Sequence, residues 1–247
     1  MKIGAQLFTV RDFTKDLESF SETLKKVADI GYEYVQVSGT CAYEGAWLNE
    51  ELKKNGLKCP ITHYDRDEIR TNTDAVIAKH KEFGCDYIGI GWYDFRKLPV
   101  STFKSDFNDA IQRVKESGLA ISYHNHHFEF AKLESGKTVL AEIAEAFTPE
   151  QLKITLDTFW VQAGGGDPAW WLTELKGRCP CIHYKDMSYD RRIDPVGYGN
   201  MNYDAIIKAS VDSGVDYAFV EQDDCNGDDP FKCLEMSYKF LKSRGLN

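Results

Sequence analysis

The sequence lacks any long apolar run. Its start, MKIGAQLFTVRD, is broken at once by Arg11 and Asp12, whereas a secretory leader needs a longer apolar segment and a cleavage site. Nothing elsewhere approaches the ~20 consecutive apolar residues that span a bilayer. We therefore expect no leader and no membrane segment, and a cytoplasmic protein.

Basic residues are also few. Lys and Arg number 30 against 39 Asp and Glu, which gives a net charge of −9. Proteins that bind nucleic acids place Lys and Arg against the phosphates. The charge balance therefore argues against a nucleic-acid partner.

The seven cysteines form no recognisable pattern. They are odd in number and scattered, and the only close pair, CPC at 179–181, has neither zinc-knuckle nor redox-motif spacing. We expect reduced and mostly buried thiols, as is usual in a cytoplasmic protein.

Short apolar runs do alternate with amphipathic helical patterns along the whole chain. The runs predict eight strands, at 2–8, 32–39, 58–64, 86–92, 119–126, 153–160, 179–187 and 216–224. Glycine follows five of the intervening helices and predicts left-handed helix ends at Gly31, Gly56, Gly84, Gly118 and Gly214.

Alternating strands and helices predict a parallel sheet, and eight such units predict its closure into one (β/α)8 TIM barrel over residues 1–247. An open doubly wound sheet is the alternative. That fold usually carries a glycine-rich phosphate loop after its first strand, and here TVRDFTKD follows instead.

Polar residues concentrate where the predicted strands end, which is the catalytic face of such a barrel. Five of the six histidines lie there, and only His80 falls on a helix. The residues predicted at this face are Gln6, Arg11, His63, Trp92, His124, Asn125, His126, His127, Glu129, Asp157, Trp160, His183, Lys185, Asp186, Glu221, Gln222, Asp223 and Asp224.

Asp157, His183 and Glu221 end three consecutive strands. Carboxylate and imidazole together suit a divalent metal ion, Mn²⁺, Mg²⁺, Co²⁺ or Zn²⁺. The alternative is that Asp157 and Glu221 cap the helices that follow them.

The stretch SYHNHHFEF, residues 122–130, crowds three histidines at the end of the fifth strand. Because side chains alternate along a strand, we expect His124 and His126 on one side and Asn125 on the other. If that side is the barrel mouth, one of the pair ligates the metal and another group there transfers protons.

Several motifs carry a family resemblance. HNHHFEF, LDTFW, IHYKDM and VEQDD, in this order, together with IGAQLFTVRD and PVGYGNMNY, resemble the sugar phosphate isomerase/epimerase family of xylose isomerase-like TIM barrels, within the AP endonuclease family 2 superfamily. The resemblance covers essentially the whole chain and is specific for the superfamily, not for a substrate.

The resemblance implies a metal at the barrel mouth, held by Asp157, His183 and Glu221. Related enzymes add a glutamate at the tip of the fifth strand, where this chain has only histidines. The fourth ligand is therefore His126 in its place, or Glu129 folded back towards the metal.

The implied activity is that of a metal-dependent isomerase or epimerase, which moves a proton beside the carbonyl of a small sugar or keto-sugar. Glu221 is one acid or base, and His124, His126 or Glu129 faces it. The remaining predicted substrate contacts are Lys185, Trp160, Asn125, His63 and Gln6.

Three other functions stay open on the same scaffold. A lyase or dehydratase acting on a keto-inositol or 3-keto sugar would use a similar acid and base. An apurinic endonuclease would need more histidine ligands and a basic surface, and a sugar-binding barrel would lack the proton-transfer pair. Barrels of this class often pair, so a homo-oligomer is possible.

Overall fold

Eight parallel strands close into a barrel in the computed structural model, which describes residues 1–247. Each strand pairs with the next in the chain, and the last pairs with the first in the register Lys2 with Tyr217. The predicted TIM barrel is thereby confirmed. The strands are β1 (Lys2–Gln6), β2 (Tyr34–Val37), β3 (Lys58–Tyr64), β4 (Tyr87–Ile90), β5 (Ala120–His124), β6 (Lys153–Asp157), β7 (Cys181–Tyr184) and β8 (Tyr217–Val220).

Helices surround the barrel and pack their apolar faces on it. They are α1 (Leu17–Ile30), α2 (Gly45–Lys54), α3 (Arg66–Thr71), α4 (Thr73–Glu82), α5 (Val100–Glu116), α6 (Val139–Ala146), α7 (Thr158–Ala163), α8 (Pro168–Glu174), α9 (Tyr203–Asp212) and α10 (Pro230–Ser243). None of them combines the length and apolar character needed to cross a bilayer.

The strands are buried on both faces, as parallel strands in a barrel are. Val35 and Ile182 belong to the main core, together with apolar residues of the helices. Their neighbours along the strands belong to a second cluster, on the opposite side by strand alternation, and this cluster comprises Tyr34, Ile61, Cys181 and Phe219.

The same alternation of side chains along each strand determines which residues lie above the inner cluster. Two residues further along each strand, a side chain points the same way, towards the carboxyl end of the barrel. The positions that follow Tyr34, Ile61, Cys181 and Phe219 are Gln36, His63, His183 and Glu221. An apolar plug is therefore followed by a polar layer at the barrel mouth.

The predicted strand ends near 125, 157, 184 and 221 agree with the observed ends at His124, Asp157, Tyr184 and Val220. The glycines predicted at helix ends all have positive φ, as left-handed caps require: 118° at Gly31, 67° at Gly56, 70° at Gly84, 86° at Gly118 and 80° at Gly214.

Three local differences from the sequence expectations have physical causes. The first strand stops at Gln6, because its side chain accepts a hydrogen bond from Phe8 N and starts a 3-10 turn, Leu7–Phe13. The sixth stops at Asp157, whose carboxylate caps α7. The seventh stops at Tyr184, and Asp186–Met187 pairs instead with Ile193–Asp194 in an antiparallel hairpin.

Candidate metal centre at the carboxyl end of the barrel

Four side chains from consecutive strands converge at the barrel mouth. They are His124, Asp157, His183 and Glu221, and one ligand atom from each lies within 4.8 Å of all the others. All four are buried, with exposures of 3, 0, 0 and 5%. Such a cluster of two imidazoles and two carboxylates can hold a metal ion.

The contacts within the cluster define which atoms face its centre. His124 Nε2 lies 3.3 Å from Asp157 Oδ2, and His183 Nδ1 lies 2.9 Å from Glu221 Oε2. His183 Nδ1 is also 3.8 Å from Asp157 Oδ2. The inward atoms are therefore one nitrogen from each histidine and one oxygen from each carboxylate.

The outward nitrogen of each histidine is held by a backbone or side-chain oxygen. His124 Nδ1 lies 3.2 Å from the carbonyl of Gly91, and His183 Nε2 lies 2.6 Å from Gln36 Oε1. Because both partners are acceptors, the outward nitrogen carries the proton. In a neutral imidazole this leaves the inward nitrogen with a free lone pair, which is the arrangement that metal-binding histidines need.

The carboxylates are oriented in the same way. Asp157 Oδ1 accepts a hydrogen bond of 2.8 Å from Trp160 N, so this residue caps α7 with one oxygen and faces the cluster with the other. Glu221 Oε1 accepts a hydrogen bond of 2.9 Å from Gln6 Nε2, and it caps no helix. Each of the four groups thus has one atom fixed by the protein and one directed inward.

Charges in the cluster perturb its titration. Burial alone lowers the pKa of His183, but the Glu221 and Asp157 carboxylates outweigh it and raise the pKa to about 9. Burial opposes ionisation of Asp157 and Glu221, yet Lys185 and the histidines hold the pKa of both carboxyls below the usual range. Both carboxyl groups are therefore ionised at neutral pH and can serve as ligands.

Lys185 lies in the same buried layer, 1% exposed. Its Nζ is 2.7 Å from Asp223 Oδ2, 3.2 Å from Glu221 Oε2 and 3.5 Å from Asp157 Oδ2. It forms no pair with Asp186, whose carboxylate instead accepts backbone N–H groups of the loop 197–201. Lys185 therefore neutralises part of the carboxylate charge.

The structure places the fifth-strand residues in different surroundings. His124 belongs to the four-residue cluster, whereas His126 lies beside it, with the two rings 4.8 Å apart. In this geometry the fourth candidate ligand is His124 and not His126, because His124 ends the strand and His126 lies past it. His126 Nδ1 is buried without a hydrogen-bond partner.

Glu129 and Asn125 are turned away from the mouth. The Glu129 carboxylate accepts hydrogen bonds from Tyr123 Oη and His126 N, so it does not fold back to the metal position. Asn125 Oδ1 accepts a hydrogen bond of 3.0 Å from Asp157 N. Both residues hold the ends of β5 and β6 in place.

A cavity of about 290 Å³ opens directly above the cluster. Its walls include Gln6, His63, His126 and Lys185, and the aromatic rings of Trp92, Trp160 and Phe8. His63 packs its ring 5.0 Å from that of His124, and its Nε2 is buried without a partner. The cavity is thus polar at its floor and aromatic at its sides.

Sequence reasoning missed Gln36 and gave Asp223 no role. Gln36 contacts His183 across the barrel, and Asp223 makes the shortest contact of Lys185. Gln36 could have been found, since it is a polar residue in the apolar strand YVQV. Asp223 was predicted at the end of the eighth strand, but the acidic segment that it begins was interpreted as a solvated loop.

Several solved structures share this architecture. A crystal structure of a sugar phosphate isomerase/epimerase from Parabacteroides distasonis superimposes with a TM-score of 0.82 at 20% identity, covering 98% of this chain and 93% of that one. An L-ribulose 3-epimerase superimposes with a TM-score of 0.74 at 14% identity, with 98% and 94% coverage.

A probable 3-DHS dehydratase, AsbF, from Bacillus anthracis superimposes with a TM-score of 0.70 at 17% identity, with 99% and 100% coverage. At these identities the likeness establishes the fold alone. No curated protein matches the sequence. The family model described as xylose isomerase-like TIM barrel matches residues 24–232, and the chain therefore belongs to the xylose isomerase-like TIM barrel family.

Proposed function

We propose that this protein is a divalent-metal-dependent isomerase or epimerase of a small sugar or keto-sugar, which transfers a proton on the carbon beside a carbonyl. One observation carries the proposal. The inward atoms of His124, Asp157, His183 and Glu221 face a common point beneath a cavity that an unpartnered imidazole, His126, also lines. Metal-binding and proton-transfer groups therefore meet at one substrate-sized space.

The donor set fits a bound metal ion. Once His183 has released its proton, two imidazoles and two carboxylates can direct lone pairs to one point, and an outer partner fixes each of the four groups. The mixture of nitrogen and oxygen donors favours Mn²⁺, Co²⁺ or Zn²⁺ over Mg²⁺, which prefers oxygen ligands. When bound, such an ion supplies Lewis acidity, which stabilises negative charge that develops on a carbonyl oxygen.

His126 and Glu221 are the proposed acid and base. Burial, followed by the effect of His124, lowers the pKa of His126 to about 3. Its imidazole is therefore neutral at pH 7, and its Nδ1 makes no hydrogen bond within the protein. Glu221, directly after β8, lines the same cavity, and its carboxylate is ionised.

The cavity walls supply the proposed sugar contacts. Lys185 and His63 offer a cationic and a neutral polar group to hydroxyls, and the faces of Trp160 and Trp92 are available to the C–H side of a sugar ring. Gln6 is engaged by Glu221, so its proposed role is to orient that carboxylate rather than to bind substrate directly.

A lyase or dehydratase on the same scaffold is the second candidate. It is favoured because the proposed acid and base are different groups, an imidazole and a carboxylate. Glu129, the one carboxylate of the fifth-strand segment, is turned towards Tyr123, so an imidazole rather than a glutamate faces Glu221. An imidazole that takes a proton from carbon and another group that protonates a departing hydroxyl would together accomplish β-elimination.

Solvent isotope exchange tests both candidates. The protein, loaded in turn with Mn²⁺, Co²⁺, Zn²⁺ or Mg²⁺, would be incubated in heavy water with ketoses, aldoses and 3-keto sugars, and followed by nuclear magnetic resonance. Deuterium at the carbon beside the carbonyl is expected for an isomerase or epimerase. For a lyase, loss of the neighbouring hydroxyl accompanies it.

The control is Asp157→Asn, in which one inward carboxylate oxygen is replaced by an amide. This variant is expected to lose metal and exchange together. If no sugar exchanges with any metal, or if Asp157→Asn exchanges as fast as the wild type, the proposed function is wrong.

A further inference from the structure

The charges around the cavity above the metal cluster restrict the substrate. Apart from histidines, its charged lining residues are Lys185, Glu221 and Asp223, and no arginine lines it. Asp157 lies directly beneath, in contact with Lys185. One ammonium group therefore faces three carboxylates in the substrate space.

The positive charge of Lys185 is already paired with carboxylates of the protein and is not available to an anionic ligand. Its Nζ is within 3.5 Å of Asp157, Glu221 and Asp223 at once, and the side chain is 1% exposed. The three carboxylates and the ammonium sum to a charge of −2. A divalent ion on the four-residue cluster brings this sum to zero, because its two histidines ligate as neutral imidazoles.

The loop after β8 adds negative charge beside the cavity. In TIM barrels a phosphate group is often held by the loops after the seventh and eighth strands, but here the loop after β8 carries Asp223, Asp224, Asp228 and Asp229. Arg11 donates hydrogen bonds to the carbonyls of Phe8 and Asp223, and Arg96 is paired with Asp94, so neither guanidinium lines the cavity.

Neutral polar groups, by contrast, are left without partners. His63 Nε2 and His126 Nδ1 are buried and make no hydrogen bond, although both residues line the cavity. The rings of Trp160 and Phe8 complete the wall with uncharged surface.

We propose that the substrate is an uncharged sugar or keto-sugar, with neither a phosphate nor a carboxylate group. This inference rests on the proposed function and goes beyond it, since it selects the substrate class that a charge-balanced mouth accepts. A dianionic phosphate placed above the cluster would meet Asp223 and Glu221, and the one Lys or Arg that lines the cavity, Lys185, is already paired with carboxylates.

The first test compares matched sugars in the deuterium-exchange assay. Ketopentoses, ketohexoses and 3-keto hexosides would be offered beside their phosphorylated counterparts to the Mn²⁺-loaded protein. Exchange in the free sugars alone supports the inference. Equal or faster exchange in a phosphorylated sugar overturns it and leaves the proposed function standing, whereas no exchange in either set overturns both.

The second test measures binding without turnover. Calorimetry would compare glucitol with glucitol 6-phosphate, two polyols without a carbonyl, on the metal-loaded and the metal-free protein. Glucitol is expected to bind at least ~10-fold more tightly, which corresponds to about 1.4 kcal/mol. A phosphate ester that binds equally well or better overturns the inference.

A pair of variants identifies the source of the preference. Asp223→Asn removes the closest carboxylate of Lys185, and it is expected to narrow the preference for glucitol over its phosphate by ~10-fold. Asp224→Asn is the control, because Asp224 does not line the cavity. If both variants keep the wild-type ratio, charge at the mouth does not set substrate class.

Discussion

Glu129 makes the sharpest prediction about stability, because its carboxyl group is completely buried. It accepts hydrogen bonds from Tyr123 Oη and His126 N, and no cation pairs with it. Burial raises the pKa of Glu129 to about 7, against the lowering effect of those hydrogen bonds. The folded protein therefore holds this proton at a pH where the unfolded chain has released it.

The magnitude and sign follow from linkage. A pKa that rises from 4.5 to about 7 on folding corresponds to roughly 3 kcal/mol, at about 1.4 kcal/mol per pH unit. Between these pH values the native state binds more protons than the unfolded state, so this contribution to stability falls as pH rises. Above about pH 7 the loss is complete and the contribution stays constant.

The perturbation is Glu129→Gln, which keeps an acceptor for His126 N and removes the ionisation. Relative to wild type, the variant should gain up to about 3 kcal/mol of unfolding free energy between pH 4.5 and pH 8. Urea titrations at several pH values measure this, and Glu134→Gln, on the exposed loop before α6, serves as the charge-matched control. Parallel pH profiles for wild type and Glu129→Gln would refute the reasoning.

The remaining predictions concern the metal cluster and the proton-transfer pair. His126→Gln should keep its metal, measured by elemental analysis, while kcat falls by roughly 10²–10⁴-fold; loss of metal would instead place His126 among the ligands. His124→Gln should lose metal, and full metal content would remove it from the set. Gln36→Leu, which leaves His183 Nε2 without its acceptor, should weaken metal affinity by roughly 10–100-fold in a competition titration with a chelator. Although burial opposes it, Glu221 and Asp157 raise the pKa of His183 to about 9. Metal binding at pH 7 should therefore release close to one proton, which calorimetry in buffers of different ionisation enthalpy detects. If no proton is released, His183 is already neutral before the metal binds.

The barrel could be predicted from the sequence because its signals are local. Each strand and most helices show a characteristic hydrophobic period, and five helix ends carry a glycine such as Gly31, whose φ of 118° other residues avoid. Eight such units have few ways to bury their apolar faces other than closure. The enrichment of histidine and carboxylate at the strand ends followed from the same one-dimensional pattern.

The arrangement within the mouth was decided by the tertiary structure. Sequence order alone could not tell whether His124 or His126 joins Asp157, because that depends on where β5 ends and how the next turn bends. The turn sends Glu129 towards Tyr123, which a linear motif does not encode.

Contacts between distant segments were equally out of reach. Gln36 meets His183 across 147 positions of chain, and Gln6 meets Glu221 across 215. These pairs exist because barrel closure places β1 beside β8 and brings the interior side chains of β2 and β7 together, and the partners then satisfy each other's buried polar atoms. The sequence by itself determined which chemical groups reach the mouth, while closure of the barrel determined which of them touch.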